Sequence, residues 1–212
     1  MQHTLSNISV ALFLAACLLA ACGDDDGSEV TTPNLNTEFC DMYINADSRA
    51  ATITLDDGTV LDILSQGIRS NVADTTVRTV VTYAMKNVTP QIYSYNPAVC
   101  MEAKPLKMFK ITPRDPVKVI SVWRGGKYIN MVLGELTIKD GTHSYGFLID
   151  EVKNRKLCVS LIHYRPSTDA EAYTEKKYFS LPIVSSYVTD YDSIAISIPT
   201  YDGMKSYSFE VK

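Results

Sequence analysis

The chain has little of what enzymes of its length use for chemistry. It holds three histidines in 212 residues, Cys-with-His metal spacing is absent, and no CxxC pair occurs, which removes zinc-ribbon and thioredoxin-type motifs. GxSxG, HExxH, SxxK and P-loop patterns are all missing. No catalytic residue, no metal ligand and no cofactor is therefore expected. His143 and His163, distant in sequence, read as surface or strand-end residues. Helical periodicity is nearly missing beyond residue 21. The longest apolar run, Ile8 to Ala21, is too short to span a bilayer core as a helix. No lysine or arginine stands before it.

What that run does have is an end. Leu19-Ala20-Ala21-Cys22 matches a bacterial lipobox, and the run before it has signal-peptide length. Residues 1–21 are thus expected to be a lipoprotein signal, with Cys22 the acylated (palmitate-bearing) N-terminus that tethers the chain to a membrane. Leu14-Ala15-Ala16-Cys17 repeats the pattern, but Leu18 and Leu19 continue the apolar run past it. A buried N-terminal helix is disfavoured by the abrupt change to Gly23-Asp24-Asp25-Asp26-Gly27-Ser28-Glu29. Residues 22–36 are acidic and almost free of large apolar side chains, and so read as a disordered, self-repelling tether.

Charge adds an exclusion. The formal net charge is −4, and Asp24, Asp25, Asp26 and Glu29 account for all of it. Residues 37–113 carry eight acids and seven bases, and 114–212 carry twelve and thirteen. A folded part so close to neutral has no basic footprint for nucleic acid. Three cysteines remain beyond the lipobox, permitting one disulfide in an extracytoplasmic compartment. Cys40 and Cys100 bracket the first half and are the expected pair, and Cys158, in the apolar run 156–162, reads as a buried thiol.

Short runs rich in Val, Ile, Thr, Tyr and Phe, broken by Gly, Asp, Asn and Pro, make the chain all-β. The clearest hairpin joins 51–55 to 59–64 through Asp56-Asp57-Gly58, whose Asp-Gly supplies positive φ. That turn also accounts for the two aspartates without a calcium site. Strands follow at 75–85 and 91–101. This first part, 37–113, suits a small partly closed, OB-like barrel. The proline-dense stretch 105–116 marks the boundary. Beyond it, 117–124, 128–136, 142–149, 156–164, 173–181, 193–198 and 206–212 read as strands of an antiparallel β-sandwich over 114–212. A single mixed barrel is the alternative. Trp123 alternates with apolar neighbours and is placed in the sandwich core. The 13 tyrosines read as strand formers and edge cover, with sugar or protein gripping as the functional alternative.

The acyl-Cys with its acidic tract, the hairpin Leu55-Asp56-Asp57-Gly58-Thr59, the segment 115–123 followed by Tyr128-Ile129-Asn130, and Thr200-Tyr201-Asp202-Gly203 before Tyr207 occur here in order. In these features the sequence resembles the NigD-like lipoproteins of the Bacteroidetes. The resemblance implies an N-terminal OB-like domain, a C-terminal β-sandwich and no catalytic motif. An acyl-Cys followed by acidic residues also resembles the surface-export signal of that phylum, implying an outer-membrane protein facing outward, with a periplasm-facing one as the alternative. The expected role is non-enzymatic binding of a protein or glycan partner. A bacteriocin-associated accessory or immunity lipoprotein and a glycan-acting hydrolase are the alternatives. Asp74-Thr75-Thr76 and Asp192-Ser193-Ile194 resemble O-glycosylation sequences, with Thr75 and Ser193 as acceptors.

Overall fold

Asp57-Gly58 forms the turn the sequence asks of it: Gly58 has φ 91° and the Asp57 carboxylate accepts the Thr59 N–H at 2.8 Å. The hairpin it closes belongs to a sheet built from the chain's first five strands, β1 (Asn36–Ile44), β2 (Ala50–Leu55), β3 (Val60–Asp62), β4 (Thr75–Lys86) and β5 (Thr89–Pro97), in the order β3-β2-β1-β4-β5. The computed structural model describes residues 33–139, 141–165 and 172–211. Cys17, Cys22, the signal segment and the tether up to residue 32 lie outside the described residues, as does Asp140.

Both faces of this first sheet are used. Cys40, Met42 and Ile44 of β1 point to one side, where Ile53, Ile63, Val81 and Tyr83 join them in a small core. Phe39 and Asp41 point to the other side, as Arg78 and Val80 do from β4. The sheet curls around its own core as a half-barrel, the partly closed barrel expected. Each fully buried Ile or Met there contributes roughly 1.5–3 kcal/mol through burial.

The rest of the chain forms two further sheets. β6 (Val99–Cys100), β7 (Ala103–Pro105), β8 (Lys118–Gly125), β9 (Tyr128–Thr137), β10 (Ser144–Lys153), β11 (Lys156–Tyr164), β12 (Tyr173–Pro182), β13 (Ser193–Thr200) and β14 (Gly203–Glu210) are joined by one short helix, α1 (Ser185–Asp190). One sheet runs β14-β13-β11-β10-β7 and the other β6-β12-β9-β8. Their inner faces share a second core that includes Ile129, Met131, Leu133, Phe147, Leu157, Leu161 and Ile196. The result is the sandwich expected, mostly antiparallel, with parallel pairings of β11 with β13, β10 with β7 and β12 with β6.

Three expectations need correction. First, the change from half-barrel to sandwich comes between Pro97 and Val99, not near 113, because β6 and β7 already pair with β12 and β10. Strands of two and three residues carry no periodic signal, so the prolines downstream looked like the boundary. Second, Cys40 and Cys100 are free thiols. Cys40 lies in the half-barrel's core, whereas Cys100 is exposed and lines a cavity with Asp41 and Arg78 on the sheet's opposite face. The backbone of the first sheet stands between them. Cys158 is also free, and half-buried. Third, Trp123 is 37% exposed rather than in the sandwich core. It sits on the edge strand β8 and meets Phe39 of the half-barrel edge-to-face at 5.4 Å.

Candidate functional site

Polar and aromatic side chains gather where the half-barrel meets the β6-β12-β9-β8 sheet. Arg78, its side chain 2% exposed, is the centre. Its guanidinium donates to Asp56 at 2.6 Å, Asp41 at 3.2 Å, Ser180 at 3.1 Å and the Asn130 carbonyl at 3.1 Å. It lies 3.8 Å over the Tyr128 ring. Asn130 in turn donates to Asp56 at 2.6 Å, and the Tyr128 hydroxyl donates to Asp41 at 2.9 Å. Lys127 reaches Asp41 at 3.0 Å from the surface. Two cations face two carboxylates, so the junction is neutral and every buried donor has a partner, as a desolvated ionic group requires. Burial, and then the Asp41 carboxylate, push the Tyr128 phenol well above its ordinary value.

The hairpin aspartates therefore have unequal roles. Asp57 makes the turn, while Asp56 is a ligand of Arg78, which the turn reading missed. The Gly125-Gly126 turn of β8–β9 sits directly on Asp56. A Cβ on Gly126, whose φ is +52°, would run into the Asp56 carbonyl oxygen. Two openings flank this junction. One, of about 580 Å³, is bounded by Asp41, Tyr43, Arg78, Cys100, Lys127 and Tyr128. The other, of about 280 Å³, is a groove walled by Phe39, Trp123 and Tyr178 with Glu38 and Asp56 at its edge. Phe39 holds both neighbouring rings edge-to-face, at 5.4 Å for Trp123 and 5.9 Å for Tyr178, so the aromatic wall is pre-set.

A second cluster closes one end of the sandwich core. Ile129, Met131 and Leu133 of β9 point inward, and Glu135 and Thr137 continue that phase. Leu161 of β11 is followed in the same phase by His163. His143, from the segment before β10, joins them, as does Tyr145, which pairs across from His163. His143 Nδ1 and His163 Nε2 are 2.9 Å apart, which corrects the expectation of two unrelated histidines. Their rings are parallel within 5° with centroids 5.2 Å apart. That separation equals the nitrogen distance plus the two ring radii, so the rings lie edge to edge. Glu135, 1% exposed, has Oε2 at 3.8 Å from His143 Nδ1 and 4.0 Å from His163 Nε2. Each outer atom is held. His163 Nδ1 donates to the Asp115 carbonyl at 3.0 Å, His143 Nε2 is 2.9 Å from Thr137 Oγ1, and the Tyr145 hydroxyl donates to both Glu135 oxygens at 2.7 Å. Burial pulls His163 below the ordinary histidine value, and burial followed by the Glu135 carboxylate pushes the Tyr145 phenol far up.

Periodicity could have flagged this cluster, since Glu135 and His163 occupy positions that strand alternation assigns to the core. Arg78 gave no such signal, because both faces of β4 are covered. The other expected site residues stay apart. Thr75 opens β4 and Ser193 opens β13, each half-buried, and Ser193 lies between β11 and β14. Cys22 lies outside the described residues. Among the tyrosines, Tyr93, Tyr95, Tyr164, Tyr173 and Tyr201 are exposed on strands and turns, whereas Tyr83, Tyr128 and Tyr187 are buried.

No family model matches the chain, and no curated protein matches it by sequence. Solved structures do. A NigD-like immunity protein from Bacteroides caccae superposes with a TM-score of 0.67 at 23% identity, covering 85% of this chain and 99% of that one. A candidate toxin-related protein from Parabacteroides distasonis gives 0.63 at 12% identity over 84% and 94%. A candidate lipoprotein from Bacteroides fragilis gives 0.60 at 12% over 85% and 99%. The chain thus has the NigD-like fold, a half-barrel followed by a sandwich, over the whole of its folded part.

Proposed function

We propose that this chain is a NigD-like lipoprotein of the bacterial outer membrane, acylated at Cys22, facing outward, and acting by binding rather than catalysis. The lipobox, the acidic tract behind it, and the fold it shares with Bacteroides proteins support the anchored half of the reading. The binding half rests on one observation, the placement of Trp123. A strand tryptophan that alternation assigns to the core instead forms one wall of an open groove, braced by Phe39 and Tyr178, with Glu38 and Asp56 beside it. Rigid aromatic faces next to carboxylates suit a glycan, whose ring stacks and whose hydroxyls donate, or an aromatic-seeking protein loop. Asp41 and Asp56 are both bound by Arg78, which speaks against their use as the free carboxylate pair of a glycan hydrolase.

Radiolabelled palmitate should enter the wild type and not Cys22→Ala, and proteinase K should digest the protein on intact cells. Full-length wild type in detergent should retain an envelope glycan or protein that Trp123→Ala, equally folded by circular dichroism, releases. Equal retention by both would refute the groove. A second reading, an immunity lipoprotein, is favoured by the likeness to the NigD-like immunity protein of Bacteroides caccae. Deleting the gene should then raise sensitivity to a toxin encoded nearby, and unchanged sensitivity would remove that reading.

A further inference from the structure

The cluster of Glu135, His143 and His163 has the donor set and the spacing of a metal centre, and we propose that it binds one divalent transition-metal cation, zinc by preference. Three atoms face one another: His143 Nδ1, His163 Nε2 and Glu135 Oε2, separated by 2.9, 3.8 and 4.0 Å. The point equidistant from atoms so spaced lies about 2.1 Å from each, the length of a zinc–imidazole or zinc–carboxylate bond. Two imidazoles and one carboxylate suit zinc and disfavour calcium or magnesium, which prefer oxygen.

The surroundings are those of a built site. Ligating histidines present one nitrogen inward by donating the other to a carbonyl or hydroxyl. His163 does this through Nδ1 to the Asp115 carbonyl, and His143 is placed to do so through Nε2 to Thr137 Oγ1. Tyr145 holds the carboxylate by both oxygens. Electrostatics points the same way. Glu135 is a carboxylate at the end of an apolar core, and the ion pairs it makes among the described residues are with the two imidazoles alone. A buried carboxylate needs a positive charge beside it, and a cation between the three atoms supplies one. To accept it, the edge-to-edge rings swing their facing nitrogens toward Glu135. The ion ties β9, β10 and β11 together at the end of the sandwich. With His143 only 5% exposed in its side chain, it has a structural character and no broad opening for a substrate.

The test uses the full chain in detergent, purified without an affinity tag. After one equivalent of zinc and exhaustive dialysis, elemental analysis should find about one zinc per chain. Cobalt(II) should give the visible d–d absorption of a low-symmetry site, and excess zinc should raise the midpoint of thermal unfolding. Thr137→Val and Tyr145→Phe, which remove only outer partners, should weaken zinc binding about 10–100-fold, while Glu151→Gln, exposed near the far end of β10, should leave it unchanged. Folded wild type that retains no zinc and shows no cobalt band would overturn the proposal. So would retention that survives His143→Gln in a folded variant.

Discussion

Removing Arg78 is the sharpest test of how the half-barrel is fastened to the sandwich. Arg78→Met keeps much of the side chain's volume and all of its apolar stem, but withdraws the guanidinium from Asp41, Asp56, Ser180 and Asn130. The two neutral partners lose little, since Ser180 already donates to Asn130 at 2.8 Å. Asp41 keeps Lys127 and the Tyr128 hydroxyl. Asp56 keeps only Asn130, with its side chain 19% exposed, so it carries most of the penalty. Breaking a buried ion pair from one side costs about 3–5 kcal/mol, against a total stability of about 5–15 kcal/mol for a natural domain. The midpoint of thermal unfolding should fall by about 10 °C on the scale for chains of this size. Urea unfolding at pH 7, followed by tryptophan fluorescence and circular dichroism, measures the loss, and Trp123 reports directly from the junction. The triple variant Arg78→Met, Asp41→Asn, Asp56→Asn should recover most of it, because no charge is then left unpaired. If Arg78→Met unfolds within about 1 kcal/mol of wild type, or if the triple variant is no better than the single one, the junction is not held by this network.

Other expectations follow from single features. Burial pushes the Cys40 thiol up to about 12 from an ordinary 9.0, so the unfolded chain releases this proton first as pH rises. Stability from this group is complete below pH 9 and falls through pH 12. By pH 10.5 roughly 2 kcal/mol should be lost, and Cys40→Ala should flatten that slope in urea titrations. Gly126→Ala combines positive φ with a clash against the Asp56 carbonyl and should cost about 1–3 kcal/mol; an unchanged unfolding midpoint would show that the β8–β9 turn moves freely. Maleimide labelling of the native protein, mapped by mass spectrometry, should modify Cys100 promptly and Cys40 only after unfolding, and a peptide linking the two by disulfide would contradict the fold.

Much of the architecture was legible because each long strand obeys its local rules. The Asp57-Gly58 hairpin and the strands of the sandwich fall where β-branched runs and turn residues place them. Three things were hidden for physical reasons. β6 and β7 are too short for alternation to register, so the half-barrel was given the residues that edge the sandwich. Trp123 sits on an edge strand whose face is covered by another sheet, and no single-strand pattern encodes a neighbour so far away in sequence. The histidine pair arises from the meeting of β9, β11 and the segment before β10. Sequence distance hid the meeting, although the phase of Glu135 and His163 recorded that both point inward. Asp56 was misread because a turn was a sufficient explanation of it, and a sufficient local role conceals a second, distant one.

The parallel pairing of β6 with β12 and of β7 with β10 bears on the order in which this protein can mature. A chain threaded N-terminus first across a membrane delivers residues 99–105 well before residues 147–149 and 179–180, their partners in the sheets. The first five strands pair among themselves and can curl and close as soon as they are delivered. The segment that follows must wait with unpaired strand edges, and closing such long loops makes its capture slow. A chain delivered in that order would complete its folding last at the point where its two halves join, and the junction around Arg78 would be the final seam to form.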